Sequence, residues 1–319
     1  IQALTRAAQR GVRVHLLLDA VGSFTTPADA FRELEQAGGR VGWFAPIKFA
    51  PFHARLNHRN HRKLLVVDGM TGFTGGLNVG DEYLGLDDDI GYWRDTHICL
   101  QGDSVNYLQS LFLEDWQYAV GKLLLDIPFA PPLDTPEAAT VQIVPSGPDL
   151  EWRSIQKVLL YAMASAHRRI FITSPYFIPD SSMLETLTSA ALAGLDVRLL
   201  VPERSDLKVV LYAGRSYYLD LIDAGIKVYE YTNGFIHAKT YVIDDWFASV
   251  GSANMDIRSF QLNYELNAII YDQPFVAQME ELFVHDLQNA RLIEREEVLH
   301  RPFATRVSEG VARLMSPLL

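Results

Sequence analysis

One pattern occurs twice in the chain and limits what it can fold into. His61-x-Lys63 is followed by Asp68, Gly75-Gly76 and Asn78, and His237-x-Lys239 by Asp244, Gly251-Ser252 and Asn254 at identical spacing, 176 residues later. Two further matches are collinear with it. Ala7 to Leu18 reads like Ala190 to Val201 at an offset of 183 residues, and Leu34 to Val41 like Leu221 to Val228 at 187. Both read as a helix, a glycine stop and a strand. A chain of 319 residues that repeats itself in this way predicts two similar lobes.

Each half alternates helices with short apolar strands such as Leu64 to Val67, Tyr241 to Ile243 and Leu266 to Tyr271. The predicted class is α/β: two lobes, each a mixed β-sheet flanked by helices, related by a pseudo-two-fold axis and sharing one active site. A Pro-rich linker over Ile127 to Ala139 breaks both periodicities and separates lobes at 1–134 and 140–319. The second copy has a buried-looking strand, Arg169 to Ile178, before its first helix, whereas only ten residues precede Gly11. The expectation is that the first copy lacks this strand and that the natural protein continues upstream.

Composition narrows the partners. Lys and Arg number 28 against 39 Asp and Glu, a net charge of −11, which argues against a nucleic-acid partner while leaving room for a basic cleft. Cys99 is the single cysteine, so neither an intrachain disulfide nor a Cys-based zinc site is available. There is no apolar run of about 18 residues, so no segment reads as a membrane-spanning helix. His58 and His61 have H-x2-H spacing, but each repeated motif offers Lys where a second ligand is needed, so no metal and no other cofactor is expected. His15, His53, His97, His167, His285 and His300 read as core or surface residues.

On a strand, residues i and i+2 face one side, so His61 with Lys63, and His237 with Lys239, each present an imidazole beside an ammonium. That pair suits a phosphate. The lysine neutralises its oxygens while the histidine attacks phosphorus or moves a proton. Asp68 and Asp244 fall on the opposite parity, which gives them a supporting or turn-forming role before a chemical one. Gly-Gly-x-Asn and Gly-Ser-x-Asn let backbone approach a ligand and add donors, which marks Asn78, Ser252 and Asn254 as phosphate-binding candidates.

The two motifs, with Asn60 to Leu64, Gly76 to Tyr83, Tyr92 to His97, Ser174 to Pro179, Asn254 to Phe260 and Arg313 to Leu319, make the chain resemble bacterial cardiolipin synthases of the phospholipase D superfamily. The resemblance covers essentially the whole chain. It implies a catalytic set of His61, Lys63, Asp68, His237, Lys239 and Asp244, with Asp95 and Glu265 as the carboxylates that orient the histidines. It implies a ping-pong phosphatidyl transfer between two phosphatidylglycerol molecules through a phosphatidyl-histidine. The residues leave open which histidine is the nucleophile; the resemblance implies His61, with His237 as acid and base. It further implies phospholipid substrates, a membrane surface as partner, and a bacterial inner-membrane location through an upstream anchor. A hydrolytic phospholipase D, a nuclease of the same superfamily and a non-catalytic lipid-binding relative are the competing readings.

Two apolar stretches, Trp43 to Phe52 and Leu123 to Phe129, read either as segments that dip into a bilayer interface or as packed loops. Asp87 to Asp89 read as a solvated turn.

Overall fold

The computed structural model describes residues 1–27, 29–45, 58–85, 91–124, 127, 129, 131, 139–205 and 207–316. The first lobe runs α1 (Gln2–Gln9), β1 (His15–Asp19), α2 (Arg32–Gln36), β2 (Arg40–Phe44), β3 (Leu64–Val67), β4 (Thr71–Gly75), β5 (Trp93–Arg94), β6 (His97–Gln101) and α3 (Ser104–Val120). The second opens with β7 (Thr140–Ser146), α4 (Ser154–Ala164), β8 (Arg169–Thr173), β9 (Phe177–Ile178), α5 (Ser181–Leu192), β10 (Asp196–Pro202), α6 (Lys208–Arg215), α7 (Tyr218–Asp223) and β11 (Lys227–Tyr231). It continues with β12 (Phe235–Ile236), β13 (Thr240–Ile243), β14 (Phe247–Gly251), β15 (Met255–Asp256), α8 (Ile257–Gln261), β16 (Glu265–Tyr271), α9 (Gln273–Leu287), β17 (Ala290–Leu292), α10 (Arg295–Leu299) and α11 (Phe303–Leu314).

The repeat is visible in the backbone. After α1 and after α5 the chain turns through Gly11 (φ +90°) and Gly194 (φ +95°), left-handed positions that glycine adopts without the strain a Cβ brings. Each turn feeds a strand, β1 or β10, that pairs in parallel with the strand after the next helical segment, β2 or β11. The second lobe completes an eight-stranded mixed sheet in the order β17-β11-β10-β8-β13-β14-β16-β7. Its apolar residues fill both faces: Leu159, Met163, Ile170, Ile172 and Tyr241 on one, Phe171, Leu200, Val242 and Phe283 on the other.

In that sheet β8 lies between β10, parallel to it, and β13, antiparallel to it. The corresponding strands of the first lobe, β1 and β3, belong to separate sheets of two and three strands. Between them lies a cavity of about 400 Å³ bordered by Val12, His15, Leu64, Val66 and Phe112, and among the described residues no strand occupies the place that β8 takes in the second lobe.

The lobes share core. Leu266 of β16 packs with Leu108 and Leu111 of α3, beside Leu64 and Val66 of β3. Ile98 of β6 joins the Val242 and Ala248 cluster of the second lobe. The linker expected over Ile127 to Ala139 lies mostly outside the described residues.

Two expectations about strands are corrected. Arg169 to Ile178 is not one strand: β8 stops at Thr173 and β9 pairs in a different two-stranded sheet, because Pro175 between them has no N–H for a ladder. Nor do the His-x-Lys triplets lie within strands, since β3 starts at Leu64 and β13 at Thr240. Each triplet is the entry to its strand.

Candidate active site

The two histidines reach their carboxylates across the lobe boundary. His61 Nδ1 lies 2.9 and 3.0 Å from the two carboxylate oxygens of Glu265, and His237 Nδ1 lies 2.8 Å from Asp95 Oδ2. Each lobe therefore donates a histidine to one pair and a carboxylate to the other.

Backbone pairing enforces the exchange. The His61 N–H donates to the Tyr264 carbonyl (2.9 Å), directly before Glu265, and the Tyr264 N–H donates to the Arg59 carbonyl (2.8 Å). In the related place the His237 N–H donates to the Arg94 carbonyl (2.7 Å), directly before Asp95, while β12 pairs in parallel with β5. On the far side of each carboxylate, Gly76 N–H bonds to the Thr96 carbonyl (3.0 Å) and Ser252 N–H to the Leu266 carbonyl (2.8 Å). Both carboxylates are thus held by main chain on two sides, which fixes the imidazole tautomers without help from solvent.

The glycine positions have steric causes. A Cβ on Gly76 would collide with the Asp95 carboxylate, so the first motif needs glycine there. At the equivalent place the second motif carries Ser252. Its hydroxyl donates to Glu265 Oε2 and accepts the Leu266 N–H at 2.9 Å. Ser252, a phosphate-binding candidate from the sequence, is fully buried, and its donor engages Glu265. Asn263 Nδ2 adds a third hydrogen bond to Glu265, at 3.1 Å.

The lysines close the set. Lys63 Nζ donates to the His61 carbonyl (2.7 Å); Lys239 Nζ donates to the His237 carbonyl (2.6 Å) and lies 2.8 Å from His237 Nε2. With the Nδ1 proton directed to Asp95, His237 Nε2 is an acceptor already occupied by an ammonium. His61 differs. Among the described hydrogen bonds none engages its Nε2, and its side chain is 29% exposed against 7% for His237.

Charge and burial act together here. Burial pushes the His61 pKa below its ordinary value, with Lys63 and Lys239 adding to the effect and Glu265 opposing it. His237 is pushed down to about 3 by burial and by Lys239. Burial lowers Lys63 to about 8 and Lys239 to about 7. For Asp95 and Glu265 burial acts upward, but the histidine hydrogen bonds and the lysine charges outweigh it and hold both below the usual carboxylate range. The Lys63 charge is felt at His237 and the Lys239 charge at His61, so the two motifs form one electrostatic unit.

Asp68 and Asp244 stand apart from this unit. Both adopt left-handed φ, +54° and +50°, in the turn after their strands. The Asp244 carboxylate accepts the backbone N–H groups of His167, Arg168 and Arg169 at 2.8 to 2.9 Å, which pins the start of β8. The described contacts of these carboxylates include neither motif histidine nor motif lysine, and both residues sit in the turns that follow their strands. Asn78 donates to the Tyr83 hydroxyl at 2.6 Å. Asn254 is buried beside α8, its N–H donating to Ser259 Oγ at 3.2 Å and its Oδ1 carrying no described partner.

Sequence reasoning missed the aromatic wall around His237. Trp93 and Phe235 lie 5.0 and 5.8 Å from its ring, and Tyr83 lies 6.2 Å away. Trp93 and Tyr83 fall inside stretches already singled out around Asp95 and Asn78, but no periodicity marks them. Arg94 does not pair with the Asp95 carboxylate; its guanidinium binds Asp286 of α9 and the Asp95 carbonyl. Of the apolar stretches, Phe44 is buried against Tyr118 and Tyr264, Leu123 and Phe129 are exposed, and Phe49, Phe52 and Asp87 to Asp89 lie outside the described residues.

The profile of the family described as cardiolipin synthase, PLD-like domain, matches residues 1–116 and 159–287. The chain belongs to this family. Curated relatives agree: a cardiolipin synthase of Geobacillus kaustophilus is 45% identical over all of the chain, and the major cardiolipin synthase of Bacillus subtilis is 49% identical over 99% of it. The chain spans 64% and 66% of the lengths of these two relatives. Among solved structures, the phosphatidylserine synthase of Haemophilus influenzae superposes with a TM-score of 0.74 over 99% of this chain and 85% of that one at 14% identity, a likeness of fold. Membership of this family accounts for the paired lobes and the doubled motif.

Proposed function

We propose that this chain carries the catalytic part of a cardiolipin synthase, moving a phosphatidyl group between two phosphatidylglycerol molecules. The observation that carries the proposal is the pair of crossed His–carboxylate contacts, with one lysine beside each histidine, in a chain whose relatives are named for this activity.

In this reading His61 is the nucleophile, because among the described residues nothing engages its Nε2, its side chain is part-exposed, and Glu265 holds the Nδ1 proton. The His61 Nε2–phosphorus bond forms as the bond to the departing glycerol breaks. An anionic phosphodiester draws Lys63 and Lys239 onto its oxygens and raises the proton affinity of His237. The Lys239 ammonium, 2.8 Å from His237 Nε2, passes a proton to that nitrogen, and His237 delivers it to the leaving alkoxide. In the second half His237 takes the proton of an incoming glycerol hydroxyl, its oxygen bonds to phosphorus, and the phosphorus–nitrogen bond breaks. One phosphodiester replaces another, so the exchange needs no nucleotide. Water in place of the second lipid gives phosphatidate by the same steps.

The test is incubation with phosphatidylglycerol vesicles, following lipids and released glycerol by mass spectrometry. Cardiolipin with one glycerol per molecule supports the synthase reading. Phosphatidate without cardiolipin replaces it with a hydrolase.

A further inference from the structure

We propose that the outward face of α11 docks on an anionic lipid surface. The helix is built in reverse. The residues it turns toward the protein are Thr305, Glu309, Ala312 and Ser316, polar or small, while Phe303, Val307, Val311 and Leu314 are 81%, 47%, 55% and 83% exposed. At 100° per residue these four form one stripe roughly 80° wide and about 16 Å long. An apolar stripe on the side away from the core marks a surface that is covered in use.

Polar contacts hold α11 in this orientation. Glu309 pairs with Arg301 at 2.7 Å, and Arg313 donates to the Ser216 carbonyl (3.2 Å) and to Asp220 (2.9 Å). The helix packs on α6, α6 packs on β9, and β9 pairs with β15, which directly follows Asn254 of the second motif. These contacts link α11, through α6 and β9, to the segment that follows the second motif.

Charge selects the partner. Arg306 borders the stripe on one edge, beside Arg313 whose charge is paired with Asp220, and Ala304 and Ser308 border it on the other; the helix's single carboxylate, Glu309, faces inward and is neutralised by Arg301. Apolar side chains bordered by the Arg306 guanidinium match lipid tails beneath anionic phosphates, a local charge opposite in sign to the chain's net −11. Four side chains on one helix fall short of the roughly 800 Å² per partner that a stable protein interface buries. A lipid surface sets no such minimum.

The substrate reading above makes the surface useful, but the two ideas fail separately. The first measurement makes the Phe303→Trp variant and records its emission, less that of wild type, with vesicles of phosphatidylglycerol mixed into phosphatidylcholine. Expected are a blue shift and quenching by brominated acyl chains, both weaker on pure phosphatidylcholine. An unchanged difference spectrum overturns the proposal. The second compares vesicle flotation of wild type with Phe303→Ser/Leu314→Ser and with Arg306→Glu. At least a tenfold weaker partition is expected for the double variant, with unchanged melting and unchanged turnover of a short-chain, dispersed phosphatidylglycerol. If the double variant floats as well as wild type while a dimer seen by sedimentation becomes a monomer, the stripe joins two copies and the proposal falls. Insertion of the indole in the Phe303→Trp variant with no phosphodiester turned over leaves the surface standing and removes the substrate reading.

Discussion

At the scale of single residues, the two histidines have unequal surroundings. Among the described residues nothing engages His61 Nε2, and its carboxylate is held by Ser252 and Asn263; His237 has its Nε2 capped by Lys239 and sits against Trp93 and Phe235. A nucleophile needs a free lone pair, whereas an acid needs a proton that it delivers only when the leaving group requires one. The expected separation is therefore chemical. With a phosphatidyl donor bearing a p-nitrophenolate leaving group, which departs unprotonated, Asp95→Asn should still trap a phosphatidyl-enzyme on rapid quench. Glu265→Gln should not, and on phosphatidylglycerol each should lose about 10²- to 10⁴-fold in kcat. Trapping in Glu265→Gln and not in Asp95→Asn would exchange the two roles. Gly76→Ala, whose new Cβ meets the Asp95 carboxylate, should follow Asp95→Asn in this assay.

Among the elements, the turns after β3 and β13 separate what the spacing carried from what it did not. Parity placed Asp68 and Asp244 off the catalytic face. Only the structure shows what Asp244 does, because its partners, the N–H groups of residues 167 to 169, lie more than seventy residues away in sequence. Losing these charge-assisted bonds in Asp244→Asn should cost about 2–4 kcal/mol of stability and leave kcat intact well below the melting temperature. The same hydrogen bonds hold the Asp244 pKa down against its burial. A depressed carboxylate stabilises above its unfolded pKa and loses that contribution as pH falls through its folded one, so the wild-type advantage over Asp244→Asn should vanish in acid. Denaturant melts of both proteins at pH 7 and at pH 3 check the sign. The repeat, the helix–glycine–strand units and the two His-x-Lys pairs were legible in the sequence because they recur in register, whereas Asp95 and Glu265, 34 and 28 residues beyond their motif histidines, share no spacing and were marked only by the family resemblance. The exchange of carboxylates between lobes was not legible, since local periodicity carries no information about which copy lies across from which. The splitting of the 169–178 strand follows from one proline within an apolar run, a signal that the run itself hides.

Taken as a whole molecule, the chain concentrates two buried cations between two buried carboxylates, and this sets stability and activity against each other along the pH axis. Arg62 ties the first motif to the second lobe, donating to the carbonyls of Glu265 and Ser146 and pairing with Asp115, so the lobes dock as one electrostatic body. Lys239, near 7, and Lys63, near 8, must be charged to hold a phosphodiester. Between these values and 10.5 the unfolded chain binds more protons at the two lysines than the folded one does. The contribution of the lysines to stability therefore rises with pH across that window. Activity has the opposite slope. For the free enzyme kcat/KM should be level from below the ordinary histidine range, since His61 is held neutral there, and should fall above about pH 7 with a second proton lost beyond about 8. A bound phosphodiester adds negative charge and strengthens the hold of both lysines on their protons, so the alkaline limb of kcat should lie at higher pH than that of kcat/KM. Steady-state profiles on dispersed short-chain phosphatidylglycerol, with melts in the same buffers, check both slopes. A kcat/KM that stays flat to about pH 9 would show that the lysines keep their protons unaided and that the crossed carboxylates outweigh burial in this cleft.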